Sequence, residues 1–447
     1  MSIKPKLSRF DLTMIVISLI IGTGIFKSPG EVAIRAGSTP LFFTAWVFGG
    51  LITLCGALTF AEIGARYPNT GGFYKLFSYC YHPAFAFMIN WIAIISTTAS
   101  VAAVALIGAE YINPMLLPAS LQNETGTKIT TIAMVIIVYL INFLGIKMSA
   151  RAQNLLTLFK IGMIAMLCMA VFKNNAPSQA LPVIIQASNP LSSFGLSLVA
   201  VFFTYTGYQQ TINFGGDIVD AKRNIPKAIL MGIAVVIAVY LAVNFAYYQV
   251  LGMIGLQQNT ALAAKMAAVL FGGVGAKVTS VLMFISVLAY VNVNMMAIPR
   301  VYYAMAEDGM LPNIFKRVNP RTQVQEFGMT FLAASILVIL FFVSSFSQML
   351  NYSMFFETIS LSTAAMAIFI LRKRTKHLNN TGIYTIKWYP FVPLLFIIVY
   401  WFVTLSIFVA NPMGALYCLG AFAAGLLIYY LTKWSKDRKG NPAEINL

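Results

Sequence analysis

The residues best placed to do chemistry are a threonine and the two glycines that flank it, in the middle of an apolar run. Gly22, Thr23 and Gly24 lie inside the stretch 11–36, and Pro29 follows within two turns. Glycine costs roughly 1 kcal/mol in a helix interior and proline about 3 kcal/mol, so this helix is expected to break. A broken helix frees main-chain N–H and C=O groups, which can hold the carboxylate and ammonium of a small zwitterion. The alternative is a glycine kink that only lets helices pack closely.

A second polar island interrupts another apolar run between residues 202 and 211. It contains Thr204, Thr206 and Gly207, followed by the glutamine pair 209–210. Hydroxyls on a helix face that packs against a neighbour are common in membranes, but a glutamine pair beside a midspan glycine is not explained that way. Two interrupted helices five spans apart predict an inverted repeat with a binding site between its halves.

Lys160 is the one basic residue deep inside an otherwise apolar stretch, roughly 13 Å beyond Arg151 along a helix. A lysine near the centre of a membrane helix costs about 2.5–3.5 kcal/mol and calls for a partner. Since its own span has no acid, we expect it to bond the freed carbonyls near Ile20 and Gly22. Two interpretations stay open: Lys160 gains and loses a proton for coupling or gating, or it is a fixed cation that ties two helices together.

Two other residues each have two possible interpretations. Phe203, beside the second island, is predicted to be a lid over the bound molecule, with simple packing as the alternative. Glu357, at the start of a later apolar run, is predicted to be a helix-entry or vestibule charge, with a proton carrier as the alternative.

The composition is that of a polytopic helical membrane protein. Of 447 residues, 59% are hydrophobic and only 10% charged, and the mean hydropathy is +0.80. The formal net charge of +17 falls mostly on one predicted side, as the positive-inside rule requires, so no nucleic-acid partner is expected. Four scattered cysteines and two histidines predict neither a metal site nor a disulfide framework. No cofactor is expected.

The apolar runs predict about twelve transmembrane helices in one domain covering 1–447. Residues 11–172 would form a first five-helix repeat, 191–371 a second, inverted one, and 391–432 two additional helices. The predicted spans are 11–36, 40–65, 84–111, 129–145, 153–172, 191–219, 228–250, 277–306, 327–346, 352–371, 391–410 and 412–432, and a short amphipathic helix is predicted over 261–270. The even count and the basic N-terminus put both ends in the cytoplasm of a plasma (inner) membrane.

Several segments resemble the amino acid–polyamine–organocation (APC) superfamily, particularly its bacterial amino acid permeases and the L-type exchangers. They are Gly-Thr-Gly-Ile-Phe at 22–26 with Pro-Gly at 29–30, Ala-Glu-Ile-Gly-Ala-Arg-Tyr-Pro at 61–68 with Gly-Gly at 71–72, Asn-Ile-Pro at 224–226, and the stretch 300–312. Lys160 stands where many members carry a lysine in place of a sodium site. The resemblance covers nearly the whole chain.

The resemblance implies a LeuT-like five-plus-five fold that works by alternating access. It implies that Thr23 and Gly24 meet a substrate carboxylate, and that the main chain near Ile20, Phe203 and Thr206 meets the ammonium. Gly22, Thr204 and Gly207 belong to the same two breaks, and the side-chain pocket would be formed by Ala93, Ile94, Thr98 and Asn294.

Three positions depart from the pattern of that superfamily. Gln209 stands where some members have a carboxylate, the acid near the end of span 6 is displaced to Asp217, and Tyr290 replaces a small residue. The first of these makes proton coupling through position 209 doubtful.

We therefore expect a secondary transporter of L-amino acids, not an enzyme, because no nucleophile–base pair or metal set occurs in the spans. Sodium independence and neutral substrates are predicted, with proton symport and amino acid exchange both open. A membrane receptor or sensor for amino acids that does not transport is the alternative. The expected partners are the amino acid, H⁺ if symport holds, and the lipid bilayer; no accessory subunit is evident.

Overall fold

The computed structural model describes residues 3–173, 190–258, 261–341, 346–378 and 382–438. Within these ranges the chain is helical, and its only extended pairings are two isolated bridges, Leu7 with Ile218 and Thr70 with Phe214. The prediction of an all-helical fold is confirmed.

The described ranges contain fifteen α-helices, named here in chain order. They are α1 (Arg9–Ile20), α2 (Gly24–Ala36), α3 (Thr39–Arg66), α4 (Gly72–Cys80), α5 (Pro83–Leu116), α6 (Glu124–Phe143), α7 (Ile146–Cys168), α8 (Pro190–Tyr205), α9 (Ala221–Gln258), α10 (Leu262–Phe271), α11 (Gly275–Glu307), α12 (Glu326–Ile339), α13 (Phe346–Arg374), α14 (Phe391–Ala410) and α15 (Pro412–Arg438).

Nine spans within the described residues are long and apolar enough to cross a membrane, and α1 with α2 makes a tenth if the bent pair counts as one. The chain is therefore a multi-pass membrane protein. Its helices are apolar nearly all round, as helices between lipid and protein must be.

Some boundaries differ from those expected from hydropathy. α7 begins at Ile146, earlier than the predicted 153, and α5 continues to Leu116 instead of ending near 111. The helix α4, which follows the left-handed Gly71 (φ 65°), was not predicted, because its polar residues mask it. The predicted helix over 261–270 corresponds to α10. The end of the predicted span 327–346 and the tail 439–447 lie outside the described residues.

The first break separates α1 from α2. A capping box starts α1: Ser8 Oγ accepts from the Asp11 N–H at 3.2 Å and Asp11 Oδ2 accepts from the Ser8 N–H at 2.9 Å. Helical geometry ends after Ile20, because Ile21 is extended (ψ 91°). α2 begins at Gly24 with its axis bent by 42° from that of α1.

The second break follows α8 and lies against the first. α8 ends at Tyr205, and the chain resumes as a 3₁₀ turn over Tyr208–Asn213. Between them Gly207 has φ +121°, a conformation that glycine adopts without strain. A Cβ atom there would also collide with the carbonyl oxygen of Leu19 in α1. The two interruptions thus meet main chain to main chain.

Candidate functional site

A cavity of about 130 Å³ lies between the two breaks. One water molecule takes about 10–15 Å³ on the same measure, so a solute of roughly ten non-hydrogen atoms would fit. Both breaks and the helices α5, α11 and α13 form the walls. The lining residues are Leu19, Ile20, Gly22, Thr23, Gly24, Ala93, Ser96, Thr97, Ser100, Val104, Phe203, Thr204, Thr206, Gly207, Gln209, Gln210, Tyr290, Asn294, Met354, Phe356 and Glu357.

The N-terminus of α2 presents main-chain N–H groups at this cavity. The first N–H groups of a helix have no intrahelical acceptor. Thr23, at the N-cap, makes no side-chain capping hydrogen bond. These donors, at the positive end of the helix dipole, make this wall suited to an anion such as a carboxylate. Gly22, Thr23 and Gly24, all predicted here, line it together.

The C-terminal end of α1 supplies the opposite polarity. Leu19 and Ile20 both line the cavity. The Ile20 carbonyl accepts from the Gly22 N–H at 2.9 Å, and a tyrosine hydroxyl that it shares with a second carbonyl lies 3.1 Å away. The predicted meeting of an ammonium with the main chain near Ile20 would therefore compete with this hydroxyl or use a neighbouring carbonyl.

That hydroxyl belongs to Tyr240, a residue that the sequence did not single out. Tyr240 is fully buried in α9, and its Oη lies 3.1 Å from both the Ile20 and the Thr204 carbonyl oxygens. One side chain thus bridges the ends of α1 and α8. Its place inside a long apolar run concealed it, since a tyrosine there is ordinarily a packing residue.

The residues predicted in the second break all line the cavity. Thr204 and Thr206 turn their hydroxyls onto the main chain of their own helix, at Ala200 O (2.8 Å) and Phe203 O (3.1 Å). The Gly207 N–H donates to Gln209 Oε1 at 2.9 Å. The Phe203 ring lies against the first break, where its Cε1 would be 3.5 Å from a Cβ built on Gly24.

One face of α5 forms the wall across from the breaks. Ala93, Ser96, Thr97 and Ser100 recur at the helical period and line the cavity. Thr98 falls on another face: it is buried, donates to the Ile94 carbonyl at 2.7 Å, and is not among the lining residues.

Asn294 and Tyr290 complete this wall from α11. Asn294 Nδ2 donates to the Tyr290 carbonyl at 2.9 Å, and the Tyr290 hydroxyl lies 3.2 Å from Ser100 Oγ. Ile94, predicted for the same pocket, lines a second, smaller chamber next to the cavity.

Glu357 lies in the cavity wall, whereas the sequence favoured a helix-entry or vestibule position for it. Its Oε1 accepts from Gln209 Nε2 at 2.6 Å, and it lines both the cavity and the second chamber. The pairing of a carboxylate from α13 with an amide from the turn after α8 is long-range, so spacing along the chain gave no signal for it.

Lys160 is fully buried in α7, behind the first break. Its Nζ donates to the Ile21 carbonyl and to Ser18 Oγ, the latter at 3.3 Å. The Ile21 carbonyl is one of the freed carbonyls near Ile20 and Gly22 that the sequence predicts as partners of Lys160. Lys160 is not among the residues found to line the cavity, and its contacts there are with the end of α1.

Buried ion pairs link the helices at the edge of the bundle where α1 begins. Asp217 accepts from Arg300 Nε at 2.8 Å and from its Nη2 at 3.0 Å. The Asp217 main-chain carbonyl also accepts from the N–H groups of Lys6 and Leu7, at 2.8 and 2.9 Å. These contacts hold the segment before α1, the loop after the second break and α11 in one cluster, which we call the edge cluster.

A second buried acid at the same edge joins α3 to α13. Glu62 accepts from Arg66 Nε at 2.6 Å, from Arg372 Nη2 at 2.6 Å and from the Ile386 N–H at 2.8 Å. A fully buried carboxylate needs such compensation; with Arg372 Nε, which donates at 2.7 Å, four N–H groups from three residues supply it.

The fold and this cavity define a class of protein: a helical membrane protein with broken helices around a chamber for one small solute. The described residues contain no group of acids, histidines and cysteines that could hold a metal ion.

The sequence belongs to the amino acid permease family of the APC superfamily, whose profile matches residues 7–431. The chain is 32% identical to the serine/threonine exchanger SteT of Bacillus subtilis, with 96% of each chain covered. It is 24% identical to the large neutral amino acids transporter small subunit 2 of Mus musculus, covering 96% of this chain and 81% of the relative. A methylthioribose transporter of Bacillus subtilis is 25% identical, covering 88% and 86%. The resemblance inferred from the motifs is confirmed, and these relatives are transporters, not enzymes.

Proposed function

We propose that this protein is a secondary active transporter that moves L-amino acids across the membrane by alternating access. The observation that carries the proposal is the meeting of two broken helices at one cavity. In lipid, unpaired main-chain groups are tolerated only where they line a cavity or meet a ligand. The names of the relatives support an amino acid as that ligand.

In this proposal the substrate lies across the first break. Its carboxylate binds the N–H groups of Thr23 and Gly24, at the positive end of α2. Its ammonium binds carbonyls near Ile20, Phe203 and Thr206. Phe203 closes over it. The ends of the two helices supply opposite partial charges, which match the carboxylate and the ammonium of a zwitterion without a charged side chain in contact with either group.

Sodium independence and neutral substrates are part of the same proposal. The Lys160 ammonium on the Ile21 carbonyl supplies a positive charge beside the first break, and this charge would repel a cation such as Na⁺ from that place. The serine/threonine and large neutral names of two relatives favour neutral substrates. Exchange and H⁺ symport are both compatible with the cavity.

The transport fold proposed here has twelve spans in one domain, 1–447. The nine membrane-length spans and the bent pair are joined by α8 and α12 as shorter spans. Residues 11–172 and 191–371 form the two inverted repeats, and 391–432 add two helices. The basic residues at the N-terminal edge support a cytoplasmic location for both termini, and the membrane proposed is the plasma (inner) membrane.

Uptake into proteoliposomes tests the proposal. Purified protein is reconstituted, loaded with an unlabelled amino acid and assayed for entry of each labelled amino acid, with methylthioribose as a further candidate. Counterflow that persists when choline replaces Na⁺ supports the proposal. Saturable binding of an amino acid without flux would favour the receptor or sensor, and the absence of both binding and flux for every amino acid would refute it.

A further inference from the structure

The cavity and the chamber beside it share one partition. Ala93, Thr97, Gln209, Gln210 and Glu357 line both spaces. The partition therefore contains one carboxylate among neutral polar groups. Gln209 follows the second break directly, whereas Glu357 reaches the partition from α13, a helix that belongs to neither break, so its carboxylate is left for contact with a substrate side chain.

Hydrogen-bond direction fixes the role of each atom in this partition. The Gly207 N–H can only donate, so the atom of Gln209 that meets it at 2.9 Å must be the oxygen, Oε1. The amide nitrogen then faces Glu357, and it donates to Oε1 of the carboxylate at 2.6 Å. Glu357 Oε1 is consequently an acceptor that is already in use.

The second carboxylate oxygen, Oε2, is left for another donor. No other part of the described chain donates a hydrogen bond to Glu357, and none of the ion pairs found there involves it. Glu357 is partly buried and lines the cavity, so a donor on a molecule bound there can reach this second oxygen.

We propose that Glu357 Oε2 is the recognition point for a hydroxyl on the substrate side chain, which makes short hydroxyl-bearing amino acids the preferred substrates. The inference rests on the proposed transport of amino acids and narrows its substrate class. Thr97, in the same partition, is placed to donate to the oxygen of that hydroxyl.

The number of free acceptors favours a hydroxyl over a cationic side chain. A guanidinium binds a carboxylate best through both oxygens, and one of these is taken by Gln209. An ammonium brings three donors to one free oxygen. A hydroxyl brings one donor, which pairs with Glu357 Oε2, and one acceptor, which pairs with Thr97.

Threonine and valine form the matched pair of substrates for the test, since they have the same shape and differ in one hydroxyl. Counterflow in proteoliposomes gives kcat/KM for each, and thermal melting of the purified protein gives binding. We expect the wild type to prefer threonine, and Glu357→Met to reduce that preference by about tenfold or more. Glu357→Gln, which keeps the bond with Gln209, should reduce it less. Ser360→Ala, one turn along α13 and lining only the second chamber, should leave it unchanged.

Three results would overturn the inference. A wild type that takes valine as well as threonine removes its basis, while amino acid transport itself still stands. An equal loss for both substrates in Glu357→Met would mean that Glu357 acts only by positioning the second break through Gln209. An unchanged preference together with a flattened pH profile in Glu357→Gln would assign the carboxylate to a proton. A wild type that neither binds nor transports any amino acid would instead refute the proposed function.

Discussion

Replacing Lys160 by methionine tests how the first break is held. The change keeps the length of the side chain and removes both donors, the one to the Ile21 carbonyl and the one to Ser18 Oγ. Leaving a buried carbonyl unpaired costs about 1–3 kcal/mol. Removing a lysine from the middle of a membrane helix returns about 2.5–3.5 kcal/mol. These contributions oppose each other, so the melting temperature should move little.

The expected damage is to binding. A hydrogen bond from a charged donor contributes about 1.5–3 kcal/mol, and losing it frees the end of α1 to leave the geometry that the substrate needs. At 1.4 kcal/mol per factor of ten, the Kd should rise by about 10-fold to 100-fold. Counterflow rates over a range of substrate concentrations, with melting in detergent, measure both effects.

The control is Lys147→Met, which removes an exposed lysine from the same helix and should change neither quantity. If Lys160 carries a proton, Lys160→Met also flattens the pH dependence of uptake. If it is a fixed tether, the pH profile keeps its shape and only the affinity falls. Unchanged affinity, turnover and pH profile in Lys160→Met would refute both interpretations.

Three further changes test other parts of the structure. Gly207→Ala should abolish transport, because the new methyl group meets both an unfavourable φ and a main-chain carbonyl; Gly162→Ala, which has open space around it, should transport normally in the same counterflow assay. Tyr240→Phe, which removes the shared hydroxyl, should raise the Kd by about 3-fold to 30-fold, and an unchanged Kd in a binding titration would contradict the bridge. Asp217→Asn breaks a buried ion pair, a loss of about 3–5 kcal/mol; its melting temperature should fall by several degrees, while that of Asp220→Asn, at an exposed position, should not.

The breaks in the helices could be predicted because they depend on the residue types at the break itself. Glycine and proline act on the main chain wherever they stand, so Gly22, Gly24 and Gly207 marked the interruptions before any packing was known. On α5 the resemblance pointed to Ala93, Ile94 and Thr98, but only Ala93 lines the cavity, because neighbouring residues on a helix point in different directions. Ser96, Thr97 and Ser100 were not predicted. The prediction of Lys160 on a carbonyl of the first break followed from the same local cost.

The contacts between distant segments could not be read from the sequence. Glu357 meets Gln209, and Asp217 meets Arg300, only because the fold brings their helices together. In each case the single residue had a reasonable local interpretation, such as a helix-entry charge. Pairing between residues this far apart along the chain produces no recognisable spacing pattern in a single sequence.

The edge cluster has a practical consequence for handling the protein. Because residues 6 and 7 are held by the loop after the second break, the amino-terminal tail moves with that loop whenever the helix end beside it tilts. A fluorescent or affinity fusion attached directly ahead of residue 6 would therefore strain these contacts, whereas a small reporter dye there would sense the loop after the second break. Labels intended to be silent belong at the other end of the chain.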